Sequence, residues 1–121
     1  MILADTSVWV DHLREGDAEV ARRLEQGLIA THPLIAAEIA LGSLKRRGEV
    51  LSLLDGLPCA PVATIQEVRV LIETHPLHQR GIGYVDAALV AACRLAPDTR
   101  LWTRDRRLRE VAREAGIAAD T

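Results

Sequence analysis

Asp5, Glu38, Asp86 and Asp105 each lie inside or at the edge of an apolar segment, where a carboxylate is out of place unless something compensates its charge. Asp5 closes the run Met1-Ile2-Leu3-Ala4, which is too short for a helix and reads as a buried strand. Glu38 is embedded in the apolar stretch Pro33 to Leu41, Asp86 opens the nearly all-apolar Asp86 to Cys93, and Asp105 follows Leu101-Trp102-Thr103. Desolvating an unpaired charge is costly, so buried carboxylates are usually paired or bound to a cation. Together these acids point to a divalent metal site, and their all-oxygen chemistry suits Mg²⁺. Mg²⁺ keeps several waters and commonly takes one or two direct carboxylates. Asp5 and Asp86 are the expected direct ligands, with Glu38 and Asp105 acting through water or holding a second ion. Thr6, Ser7 and Thr103 are suitable hydroxyls to orient the carboxylate oxygens. Each acid also has a plainer use. Asp5, Asp86 and Asp105 fit helix N-caps or first turns, and Glu38 could face solvent or pair with an arginine. Singly, those uses suffice; jointly they require a coincidence at every position.

The remaining chemistry-bearing residues say less. His12, His32, His75 and His78 do not cluster in sequence or at a helical spacing, so surface or capping roles are expected of them. Trp9 and Trp102 could stack nucleobases, but beside Val8 and Leu101 they read better as core. Positive charge is almost all arginine and concentrates late, at Arg100, Arg104, Arg106, Arg107, Arg109 and Arg113. Guanidinium pairs with phosphate through two donors, and Arg104, next to the acids, is the expected phosphate contact. The rest of that cluster, interleaved with Glu110 and Glu114, reads as a solvated helix face.

Short strands alternate with helices along the chain. After the first strand, a helix runs from Ser7 to Arg14, with Val8, Trp9 and Leu13 inward. Asp17 caps a second helix that Gly27 ends. Leu28 to Thr31 is a strand, and Pro33 sits in the first turn of the helix bearing Glu38. Gly48 and Gly56 bracket another helix, Ala60-Pro61-Val62 is a weak strand, and Thr64 with Glu67 forms a capping box. A loop from His75 to Gly83 leads to the Asp86 helix, then the strand Arg100 to Thr103, then a helix capped by Asp105. Such alternation implies a mostly parallel sheet covered by helices, an α/β fold. Ligands bind outside the carboxyl ends of the strands in parallel sheets, and Asp5 and Asp105 both follow a strand. The acids therefore have a common rim on which to converge.

The chain has 121 residues, 49% of them apolar, and a formal net charge of −2. That size fits a single domain spanning 1–121. No apolar run approaches the ~20 residues needed to span a bilayer, and the N-terminus lacks the basic region of a signal peptide. Cys59 and Cys93 have no metal-ligand or redox spacing, so buried thiols in a reducing, cytoplasmic compartment are expected.

Four segments, in order, resemble the successive motifs of PIN-domain proteins: Ile2-Leu3-Ala4-Asp5-Thr6-Ser7-Val8-Trp9, Glu38-Ile39-Ala40-Leu41-Gly42, Tyr84-Val85-Asp86-Ala87-Ala88-Leu89-Val90-Ala91 and Leu101-Trp102-Thr103-Arg104-Asp105. The chain's size and the His32-Pro33 to Gly42 pattern are similar to the VapC-type ribonuclease toxins of bacterial type II toxin–antitoxin pairs. The resemblance spans essentially the whole chain. It implies a three-layer α/β/α sandwich with a parallel sheet, a Mg²⁺- or Mn²⁺-dependent endoribonuclease, a homodimer, and neutralisation by a cognate VapB-type antitoxin that alone would contact DNA. The family's acidic positions carry onto Asp5, Glu38, Asp86 and Asp105, with Asp105 at the most variable of them. Its hydroxyl beside the first acid falls on Thr6 or Ser7, and the threonine before the last acid on Thr103. Helices near Trp9, Val20 and Leu44 are the expected antitoxin face.

Two other classes stay open. A non-catalytic PIN-like module binding RNA or protein is discouraged by the intact acid set. A phosphatase or receiver domain would need a second aspartate two positions after Asp5, where Ser7 stands, or an acidic pair with a late lysine, and Lys45 is the only lysine.

Overall fold

The computed structural model describes residues 1–120. Three short strands, β1 (Ile2–Ala4), β2 (Ile29–Ala30) and β3 (Arg100–Trp102), form a parallel sheet in the order β2-β1-β3. Leu3 pairs with both Ala30 and Leu101. Successive strand residues face opposite sides, yet Leu3, Ala4, Ile29, Ala30, Leu101 and Trp102 are all buried. Helices must therefore cover both faces of the sheet, which makes this an α/β/α sandwich.

The helices are α1 (Thr6–Glu15), α2 (Ala18–Glu25), α3 (Pro33–Leu41), α4 (Arg47–Asp55), α5 (Ile65–Thr74), α6 (Tyr84–Leu95) and α7 (Arg106–Glu114). The expected starts are met by identifiable caps. The Asp17 carboxylate accepts from Glu19 and Val20 N–H at 3.0 and 3.1 Å. Thr64 and Glu67 close their capping box at 2.8 and 3.1 Å. Helix α6 is the central one: Ala87 through Cys93 are all buried, and its alanines combine the best helix propensity with close packing.

Several expectations need correction. Ala60-Pro61-Val62 is not a strand; only Thr31 and Cys59 form a parallel bridge there, because Pro58 and Pro61 have no N–H to donate to a ladder. Cys59 is exposed while Cys93 is buried, its thiol pushed up to about 12 by desolvation. Trp9 and Val20 are fully buried, so the helices that carry them could meet a partner only through other residues. Trp9 and Trp102 belong to the core, as their apolar neighbours suggested.

Candidate functional site

Because β1 and β3 pair in parallel with Ala4 opposite Trp102, both chains leave the sheet at the same rim. The Asp5 N–H still donates to the Trp102 carbonyl at 3.0 Å. The next residues on each side, Asp5 with Thr6 and Ser7, and Thr103 with Arg104 and Asp105, are thereby brought against one another. Asp5 then turns the chain into α1, accepting from Val8 N–H at 3.3 Å as the N-cap.

Two hydroxyls fix the Asp5 carboxylate. Ser7 donates to Oδ1 and Thr103 to Oδ2, both at 2.5 Å. Each hydroxyl in turn accepts a backbone N–H from the segment after β3: Arg104 N–H reaches Ser7 Oγ at 2.9 Å and Asp105 N–H reaches Thr103 Oγ1 at 3.1 Å. With their acceptor sides occupied by amides, the hydroxyl protons are directed at Asp5. A carboxylate has about four lone-pair sites. Ser7, Val8 and Thr103 occupy three, which leaves acceptor capacity on Oδ2. Desolvation by burial raises the Asp5 carboxyl pKa, and these hydrogen bonds partly oppose that rise.

Thr6 faces the other way and donates to Glu38 Oε1 at 2.6 Å. The adjacent hydroxyls thus divide the work, Thr6 holding Glu38 and Ser7 holding Asp5. Asp105 caps α7 through Leu108 N–H at 3.0 Å. Asp86, in the first turn of α6, accepts from Gly83 N–H at 3.4 Å. Its pKa is raised first by desolvation and then by the charges of Asp5, Asp105 and Glu38. The charges of acids from three other segments thus bear on Asp86. The capping reading is correct for Asp5 and Asp105, each of which accepts a backbone N–H at the start of its helix.

Burial differs among them. Asp5 is buried, Asp86 half-buried, and Glu38 and Asp105 are exposed, so the expectation of buried carboxylates holds fully for Asp5 alone. The apolar stretch around Glu38 misled because only one face of α3, carrying Ile35 and Ile39, is buried.

The donor set suits a hard divalent cation. Among the described residues none of the four acids forms a salt bridge, and the ligands are oxygens throughout. No three acidic, histidine or cysteine side chains are gathered closely enough to cage an ion by themselves among the described residues. An ion held here would draw on few direct carboxylates and on water, which is the habit of Mg²⁺.

Arg104 is engaged elsewhere. Its guanidinium donates to Asp11 at 2.7 Å and Asp17 at 2.5 Å and lies 5.5 Å from the Trp102 ring centroid. It clamps α1, the α2 cap and β3 together, and its geometry gives no support to the expected phosphate contact. Neither Asp11 nor Asp17 was legible as its partner, since the clamp joins residues 93 and 87 positions apart. The histidines are caps or surface residues. His32 Nδ1 accepts Leu34 N–H at the start of α3, and His12 Nδ1 accepts Asp17 N–H, both at 3.1 Å.

The PIN-domain family model matches residues 2–114. Ribonuclease VapC32 of Mycobacterium tuberculosis, from strains CDC 1551 / Oshkosh and ATCC 25618 / H37Rv, is 47% identical over 118 residues, covering 98% of this chain and 95% of the relative. The crystal structure of PAE2754 from Pyrobaculum aerophilum superposes with a TM-score of 0.65 at 16% identity, covering 91% of this chain and 83% of that one. This last likeness is one of fold. No helix among the described residues is long and apolar enough to cross a membrane.

Proposed function

Since the chain belongs to the PIN-domain family and is VapC-like along nearly its whole length, we propose that it is a divalent-metal-dependent endoribonuclease, the toxin of a type II pair neutralised by a cognate VapB-type antitoxin. What supports this reading is the buried Asp5 carboxylate held by Ser7 and Thr103, together with a half-buried Asp86 whose charge is disfavoured by burial and by the charges of Asp5, Asp105 and Glu38. Such repulsion is relieved by a cation.

Asp5 and Asp86 are the direct ligands in this reading. Ser7 and Thr103 keep the Asp5 oxygens in one orientation, so the ligand does not have to be ordered when the ion arrives. A divalent cation, when bound, polarises the phosphoryl oxygen and lowers the pKa of water at the site. Glu38, steadied at Oε1 by Thr6, keeps Oε2 to accept a proton from the attacking water, and Asp105 would help to orient water. Water adds to phosphorus as the P–O3′ bond breaks and the departing O3′ takes a proton from solvent, which leaves a 5′-phosphate and a 3′-hydroxyl. The protein acts in the cytoplasm as one nuclease domain that self-associates into a homodimer, to be checked by light scattering.

Asp5→Asn tests the reading. Asparagine still caps a helix, so the variant folds, yet it loses the charged ligand. We expect the thermal stabilisation by Mg²⁺ or Mn²⁺ to shrink and cleavage of single-stranded RNA to be abolished. Full cleavage by this variant would defeat the metal-site reading, and RNA binding without any cleavage by the wild type would favour a non-catalytic RNA-binding module.

A further inference from the structure

Beside Asp105 lies a polar groove of about 510 Å³ lined by Arg80, Gly81, Asp105, Arg106, Arg107 and Glu110. Its arginines are not equivalent. Arg80 is tied to Glu114 through two hydrogen bonds of 2.9 and 3.0 Å. Arg106 faces Glu110 at 3.6 Å, one turn along α7. Arg107 has no carboxylate partner among the described residues. Instead its side chain lies across Gly81, where a Cβ would come within 2.6 Å of Cδ and Nη1. Gly81 is at φ +78, a conformation that disfavours any side chain. Both the shape and the backbone of the loop before α6 therefore leave room for this guanidinium. The uncommitted cation sits in the same groove as one of the acids proposed to act on RNA.

We propose that Arg107, and not Arg104, binds a backbone phosphate of single-stranded RNA next to the scissile one. This rests on the nuclease reading above. A guanidinium offers paired donors to phosphate oxygens, and a phosphate held there offsets the repulsion an RNA strand meets from the acid cluster. Arg107 is a substrate-binding residue, so its loss weakens RNA binding more than it slows the bond-breaking step.

The test is a titration of a fluorescently labelled single-stranded oligoribonucleotide, followed by anisotropy in chelator over a range of salt, alongside steady-state cleavage in Mg²⁺. Arg107→Ala should weaken binding several-fold, raise KM more than it lowers kcat, and reduce the slope of log affinity against log salt by about 0.7, the counterion release of one single-strand phosphate contact. Arg107→Lys should recover part of the affinity. Gly81→Ala displaces the guanidinium without changing net charge and should also raise KM, its fold verified by thermal melting. Arg69→Ala, in a different groove on α5, is the comparison for loss of charge alone and should leave the slope unchanged. Equal affinity and slope for wild type and Arg107→Ala, or equal losses in Arg107→Ala and Arg69→Ala, would overturn the assignment. A wild type that neither binds nor cleaves RNA would overturn the nuclease reading instead.

Discussion

The carboxylate of Asp86 is held in an environment that disfavours its charge, through burial and through Asp5, Asp105 and Glu38. That situation costs stability in the metal-free protein, and in the proposed reading a bound cation would reverse it. Asp86→Asn should therefore have opposite effects in the two conditions. In chelator it should raise the melting temperature by a few degrees, about 4 °C for each kcal/mol of repulsion relieved in a chain of this size. In Mg²⁺ the gain should vanish, because an ion bound only to the folded state adds about 2.7 kcal/mol at a hundred times its Kd and the variant forgoes that contribution. Differential scanning fluorimetry with and without Mg²⁺ measures both. A variant less stable than wild type in chelator would show that Asp86 is structurally favourable and not strained.

At the level of the element, α3 depends on a buried histidine for its start. His32 is 1% exposed; Nδ1 accepts Leu34 N–H, so the neutral ring carries its proton on Nε2, which is buried without a partner. Desolvation lowers the His32 pKa, and protonation at Nδ1 would also break the cap. A depressed folded-state pKa contributes stability that is present above the unfolded value, about 6.5, and is lost as pH falls through the folded-state pKa. Urea unfolding at pH 7.5 and 5.5 should show wild type losing stability on acidification, by at most about 1.4 kcal/mol per pH unit from this one group. His32→Asn retains a capping acceptor and does not titrate, so it should lose less across the same interval even though its smaller side chain lowers stability overall. Equal losses in the two proteins would remove His32 from the acid response. Because α3 carries Glu38, fraying of this helix would also loosen the site.

For the whole molecule, the mechanism separates metal-assisted hydrolysis from imidazole chemistry at the ribose 2′-hydroxyl. His12 and His32 each accept a backbone N–H, and the mechanism proposed above rests on the acids instead. Cleavage of single-stranded or loop RNA should be abolished by EDTA, be restored by Mg²⁺ or Mn²⁺, and yield 5′-phosphate ends when products are mapped. Cyclic-phosphate ends, or activity surviving chelation, would exclude the carboxylate mechanism.

Much of this was readable from the sequence because it is local. The caps at Asp5, Asp17, Thr64 and Asp105, the Pro33 helix start and the apolar α6 depend on residues within a turn of one another, where side chain and backbone meet without help from the rest of the chain. The parallel α/β class followed from the alternation of those elements, and a shared rim for Asp5 and Asp105 followed from parallel strand order. What the sequence could not determine was direction and partnership across long separations. The sheet register brought Ser7 and Thr103 onto opposite oxygens of Asp5, and the packing of helices and loops turned Thr6 toward Glu38, committed Arg104 to Asp11 and Asp17, and left Arg107 over Gly81 without a carboxylate among the described residues. Residues of one type that look alike along the chain differ in charge environment once folded, because Coulomb and hydrogen-bond energies depend on distances that tertiary packing alone sets.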